Sequence, residues 1–219
     1  MIPNPLNLPD EGEHLQALGF EILLERRRVA ELVLPTGQLV ACDPLSQPET
    51  EPFAREVPIG TFPVYAIVAK MRDEVRTAYV VVEFSDQRPQ NWEIAYVRGE
   101  EPPRWNRERH GFHVESTIAA LMDDQTADRL LDVMYFGEDD DELERAVRRE
   151  FRKNRRSGAQ VSHADVMVDA RSGGNLVAFD ADSGTYVTYF GSDADDNVAM
   201  AVLDFEVLDY RFTPYGLHY

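Results

Sequence analysis

The sequence predicts an α+β fold, mostly antiparallel sheet closed as a sandwich or an open barrel, with two inserted helices. Three observations carry this expectation. Short runs of β-branched and aromatic residues recur along most of the chain, divided by Gly, Pro, Asp and Asn. Helical spacing is confined to the middle, from about residue 116 to 156. Neither the residues before Gly99 nor those after Ala164 make a closed set of strands, so both are expected to share one core. At 219 residues and 43% hydrophobic content the chain can fill such a core. The division expected is an N-terminal arm with a short helix at 1–28, then a single mixed domain at 29–219.

Residues 1–9 hold three prolines and two asparagines and read as an irregular arm. A short helix is expected from Asp10 as cap, with Leu15, Leu18 and Ile22 on one face. Val29 to Leu34 and Gln38 to Cys42 flank Pro35-Thr36-Gly37, which predicts a hairpin. After a proline-rich acidic loop, Phe62 to Met71, Thr77 to Phe84 and Trp92 to Val97 predict an antiparallel meander. A charged loop carrying Trp105 follows.

The first expected helix contains Ile118, Leu121 and Met122, with Thr126 restarting it as a cap before Leu130, Leu131 and Met134. The second is clearer. Acids crowd its start at Glu138 to Glu142, bases crowd its end at Arg152 to Arg156, and Leu143, Val147 and Phe151 form a narrow apolar stripe. Its basic end could dock on the chain's own acidic turns. Those turns lie in 175–210, which reads as three strands joined through Asp182-Ser183-Gly184 and Asp193 to Asn197.

Charge narrows the function. Between Gly173 and Leu208 there are seven carboxylates and no Lys or Arg, and the whole chain carries a formal charge of −18. Such a field repels phosphate backbones and anionic bilayers, so the partner expected is a basic protein, not nucleic acid or membrane. Solubility alone also accounts for an acidic surface. One cysteine, Cys42, makes no internal disulfide, and the N-terminal residues lack the basic and apolar regions of a signal peptide. A cytoplasmic location is therefore expected.

Reactive constellations are sparse. There is no phosphate-binding loop, dinucleotide fingerprint, nucleophile elbow or cysteine pair. Asp43, before Pro44 at a strand exit, either fixes a turn by accepting backbone N–H bonds or offers a rigid carboxylate at the sheet rim. Cys42 beside it reads as a buried small hydrophobe rather than a nucleophile. His110 and His113 have a metal-compatible spacing but no third ligand in view. Asp193, Asp195 and Asn197 match the first places of a calcium loop, yet Val198 stands where that loop needs glycine, and a hairpin turn is the plainer reading.

Several short motifs occur in order: LPTGQLVACDPL at 34–45, PF at 52–53, VPIGTFPV at 57–64, Arg76 with Ala78, Trp92 with Ala95, GFHVE at 111–115, NLVAF at 175–179, Gly184-Thr185-Tyr186 and LDF at 203–205. Together they resemble the bacterial domain-of-unknown-function family 4241, as a divergent member. The resemblance implies no reaction. It does imply that Glu115 stands where relatives tend to carry Asp, and Ser183 where they tend to carry a carboxylate.

Two functions follow as expectations. The first is a non-catalytic, immunity- or inhibitor-like module whose acidic turns, with Asp180, Asp182, Asp193, Asp195 and Asp196, meet a basic partner and need no cofactor. The second is a metal-assisted hydrolase, with Asp43, Glu115, Asp182 and Asp204 converging on a divalent cation.

Overall fold

In the sequence, the residues that alternate inward and outward change phase at a few positions, and those positions decide which sheet face each residue meets. The computed structural model describes residues 14–17, 20–71, 74–103, 110–136, 141–156 and 161–208. Its elements are β1 (His14–Ala17), β2 (Phe20–Leu34), β3 (Leu39–Cys42), β4 (Gly60–Met71), β5 (Glu74–Glu83), β6 (Asn91–Ile94), β7 (Gly111–Val114) and β8 (Ile118–Asp123). Helices α1 (Asp124–Phe136) and α2 (Glu142–Arg156) follow, then β9 (His163–Asp169), β10 (Gly174–Asp180), β11 (Gly184–Ser192) and β12 (Val198–Asp204).

Every strand pairing is antiparallel, in two sheets. The larger has the order β1-β2-β4-β5-β12-β11-β6, with β7 also paired to β11; the smaller has the order β3-β8-β10-β9. The sheets stack face to face as a sandwich, and α1 and α2 cover the outer face of the smaller one. The α+β class and the two inserted helices are as the sequence predicts.

The inner core joins Leu32, Val64, Val80, Leu203 and Phe190 of the larger sheet to Leu39, Leu121, Val177 and Phe179 of the smaller. On the smaller sheet's other face, Val40, Ile118, Met122 and Leu176 meet Leu130 of α1 and Leu143, Val147 and Phe151 of α2. Because β8 and β10 are buried on both faces, their apolar runs are continuous rather than alternating. In β2 a register shift between Arg28 and Ala30 re-phases the strand. Leu24 therefore packs on the larger sheet's outer face with Ile67, Tyr79 and Tyr189, while Leu32 and Leu34 point into the sandwich.

Several expectations are corrected. His14–Ala17 and the start of β2 are strands, where a short helix was expected within 1–28; the β1–β2 pairing satisfies their backbone groups instead. Ile118, Leu121 and Met122 belong to β8, not to a helix, and α1 starts after them. Its cap is Asp123, whose Oδ1 accepts the Gln125 N–H at 3.0 Å, whereas Thr126 is buried inside the helix. The segments about Pro35-Thr36-Gly37 do not form a hairpin: β2 enters the larger sheet and β3 the smaller. Buried Asp123 draws that turn across by accepting the Thr36 N–H at 3.1 Å and the Thr36 hydroxyl at 2.9 Å. The meander is broken too, since β12 and β11 lie between β5 and β6. The arm at 1–9, Asp10, Leu18 and Trp105 lie outside the described residues. Among those described, no helix is long and apolar enough to cross a membrane.

Candidate functional site

The carboxylates singled out in the sequence occupy two different ends of the sandwich. Asp180 closes β10 and Asp182 lies in the turn before β11, whereas Asp193, Asp195 and Asp196 lie in the turn after β11. The nine residues of β11 between them span roughly 25–30 Å at about 3.3 Å per residue. The two turns therefore stand at opposite ends of that strand rather than side by side.

The far turn is occupied with its own construction. The Asp193 carboxylate accepts the N–H groups of Asp195 and Asn197, each at 2.9 Å, and these bonds hold its pKa down against the effect of burial. Asp196, with φ of 64°, pairs with Arg55 at 3.1 Å. The arrangement is that of a hairpin turn closed by an Asp side chain.

The near end is different, because there three segments leave a gap. β5 starts at the rim with Glu74 and Arg76, the chain passes from β10 of the smaller sheet to the larger through Ala181 and Asp182, and it leaves β12 through Phe205 and Val207. The gap is an open recess of about 250 Å³ lined by Glu74, Arg76, Ser162, Asp180, Asp182 and Tyr186. The Ala181 N–H donates to the Thr117 carbonyl at 3.1 Å, and the Tyr186 hydroxyl donates to the Asp182 carbonyl at 2.8 Å. Tyr186 packs on Phe205 with ring centroids 5.2 Å apart. Burial, then the nearby Asp182 charge, raises the Tyr186 pKa, so the phenol stays neutral. Arg76 pairs with Asp182 and approaches Glu74 at 3.5 Å. Among the described residues the basic end of α2 reaches this rim through Arg155, 3.4 Å from the Ser162 hydroxyl, with no ion pair to the turn carboxylates.

The proposed metal ligands do not come together. Asp43 is fully buried, and its two oxygens accept N–H bonds from Leu45, Ser46, Glu115 and Ser116 and the Ser116 hydroxyl, at 2.6–3.1 Å. Burial alone raises its pKa, but these bonds outweigh it and leave the carboxyl below its ordinary range. Glu115 meets Asp43 through its backbone, and its own carboxylate is exposed, 3.8 Å from His113 Nε2. Asp204 is buried at the end of β12 and accepts the Glu206 N–H at 2.8 Å. Among the described residues no group of three or more His, Cys, Asp or Glu is placed to hold a metal. Cys42 is buried, and burial followed by the Asp43 charge pushes its thiol far up.

His110 lies 3.5 Å from Glu100, while His113 sits across from Thr185 with Nδ1 3.3 Å from its hydroxyl. The two histidines have separate partners, and Thr185, His113 and Glu115 form a hydroxyl–imidazole–carboxylate line. Sequence reasoning missed Glu74 and Arg76 as recess residues and Asn175 as a buried link. Asn175 donates to the Glu31 carbonyl at 2.7 Å and accepts the Val33 N–H at 3.0 Å, clipping β10 to β2. Asn at the head of an apolar strand was the one available signal.

The motifs quoted from the sequence now have places. Asp43 of LVACDP holds the turn after GFHVE, whose strand β7 pairs with the Gly-Thr-Tyr start of β11. No curated protein and no solved structure gives a significant match. A family model described as protein of unknown function (DUF4241) matches residues 32–203, which is most of the chain and contains each of these motifs except the end of LDF; the chain therefore belongs to that family.

Proposed function

We propose that this chain is a non-catalytic binding module, immunity- or inhibitor-like, that recognises a basic protein surface, and that the recess at the β10–β11 turn receives a cationic side chain of that partner. The supporting observation is the lining of the recess, three carboxylates (Glu74, Asp180 and Asp182) to one guanidinium. Tyr186 and Phe205 add aromatic walls suited to a cation. Arg76 fills part of this role within the chain, but Asp182 keeps 73% of its side-chain surface exposed. An exposed pair of this kind is worth about 0–1 kcal/mol, so exchanging Arg76 for a partner's cation costs little. The formal charge of −18 would speed approach of a basic protein and disfavour nucleic acids and anionic membranes. Asp193, Asp195 and Asp196 become turn-forming residues in this reading. A cytoplasmic setting suits a chain whose single cysteine is buried.

The test uses an acetylated Gly-Arg-Gly-Arg-Gly amide as probe, titrated calorimetrically at low and high salt. Asp180→Asn with Asp182→Asn should weaken binding about tenfold, corresponding to about 1.4 kcal/mol. Asp195→Asn with Asp196→Asn should change it less than twofold. Equal losses at the two ends would remove the recess from the proposal, and an affinity indifferent to salt would remove its electrostatic basis.

A further inference from the structure

β9 is the last strand of the smaller sheet, and among the described residues one of its edges has no partner strand. The Asp180 N–H donates to the Ser162 carbonyl just before β9, and β9 and β10 continue in that register to Met167 opposite Asn175. Antiparallel alternation then directs the backbone groups of residues 164 and 166 toward β10, and those of His163, Asp165 and Met167 away from it. The His163 carbonyl is met by Asn154 of α2 at 2.7 Å. The outward amide and carbonyl groups of Asp165 and Met167 have no hydrogen-bond partner among the described residues.

These groups border an open groove of about 390 Å³ between β9, α1 and α2. Its apolar lining includes Leu130, Val133, Leu143, Ala146, Val166 and Met167, and Met167 is 61% exposed. Phe136, at the end of α1, is 85% exposed and lines the adjoining hollow with Val133 and Glu142. Around the groove stand Glu142, Glu150 and Asp165 against Arg149; Glu150 pairs with Lys153 at 2.8 Å, Asp165 accepts the Asn175 amide at 2.7 Å, and Glu142 has no ion-pair partner among the described residues.

We propose that this groove is a second interaction site, where an extended apolar segment of a partner bearing Lys or Arg adds to β9 as a strand. The unpaired Asp165 and Met167 backbone groups supply the ladder, the apolar floor takes alternate side chains, and the surplus of carboxylates selects a cation. The same charge surplus disfavours a second copy of this acidic chain as occupant. This site is distinct from the recess and does not depend on it.

The probe is an acetyl-(Lys-Val)₄ amide, titrated by fluorescence anisotropy against the full chain carrying Asp180→Asn and Asp182→Asn, so that the recess does not contribute. Saturable binding is expected. Ala146→Trp, which fills the groove, should weaken it at least tenfold with an unchanged circular dichroism spectrum and melting temperature. If that variant unfolds, Met167→Lys serves the same purpose. Peptides N-methylated at alternate residues, prepared in both phases, should lose binding at least tenfold in one phase. Equal binding of acetyl-(Glu-Val)₄ amide, retention by both methylated peptides, no effect of filling the groove, or no saturable binding would each overturn the proposal. So would a concentration-dependent dimer abolished by Ala146→Trp, which would make a second copy the occupant.

Discussion

Asp43 is a charge that folding removes from water, and its environment shows why it stays ionised. Desolvating a carboxylate costs several kcal/mol, but four N–H groups and a hydroxyl point at its two oxygens, and bonds to a charged acceptor are worth about 1.5–3 kcal/mol each. The sum favours the anion, in agreement with the lowered pKa. Asp43→Ala, which leaves those donors buried without an acceptor, should therefore cost about 3 kcal/mol or more in a urea unfolding experiment. The pH dependence has a definite sign. A carboxyl that ionises more readily in the folded chain binds fewer protons there than when unfolded, so its stabilisation is full above the unfolded value near 3.8 and is lost as pH falls through the folded one. The melting-temperature advantage of the natural chain over Asp43→Asn should be constant from neutral pH to about pH 5 and shrink below about pH 4. An advantage that grew on acidification would contradict this account. The structural reading of Asp43 was legible because an Asp-Pro pair at a strand exit constrains its own backbone. Asp123 and Asn175 were not, because their partners Thr36, Glu31 and Val33 lie more than eighty residues away in sequence.

At the scale of elements, legibility follows locality. α2 could be read because acids at its start, bases at its end and the Leu143-Val147-Phe151 stripe are all properties of fifteen consecutive residues. β8 could not, because Ile118, Leu121 and Met122 fall at i, i+3 and i+4, and a strand buried on both faces shows no two-residue alternation to counter that helical spacing. The sheets entered by β2 and β3, or by β10 and β11, depend on distant strands that local turn chemistry does not encode. The recess was hidden for the same reason: Glu74 and Arg76 precede Asp180 and Asp182 by about a hundred residues. One element does carry a local demand that can be tested. β7 approaches β11 so closely that a Cβ at Gly111 would lie 2.6 Å from the Tyr186 carbonyl oxygen and 2.7 Å from Thr185 Cγ2. Gly111→Ala should cost about 1–3 kcal/mol by forcing the strands apart. Gly184→Ala, whose new Cβ would meet nothing nearer than 3.8 Å, is its control. It should cost no more than about 0.5 kcal/mol, the range of surface substitutions. Similar midpoint losses for the two variants would show that the β7–β11 approach is not tight.

On the scale of the whole molecule, the seven acids near the C-terminus are divided between the two ends of β11, and at long range it is the total charge of the chain that acts. Packing, by contrast, is shared. One inner cluster joins Val64, Val80 and Leu203 of the larger sheet to Leu39, Leu121 and Val177 of the smaller, so neither sheet can expose its inner face without exposing the other's. The helices lean on the back of the smaller sheet through Leu130, Val147 and Phe151. Unfolding should accordingly be a single transition despite the chain's length. Helical ellipticity reports α1 and α2, and the change in tyrosine absorbance is weighted to the buried Tyr79, Tyr186 and Tyr189 of the larger sheet, because Tyr135 of α1 is already exposed when folded. These signals should give the same midpoint in urea. Leu121→Ala, which opens a cavity between the sheets, should lower both midpoints together by an amount equivalent to about 2–5 kcal/mol. If the helical signal instead melted first, with the tyrosine midpoint unmoved by the substitution, the inner cluster would not couple the sheets and the smaller sheet with its helices would unfold as a separate unit.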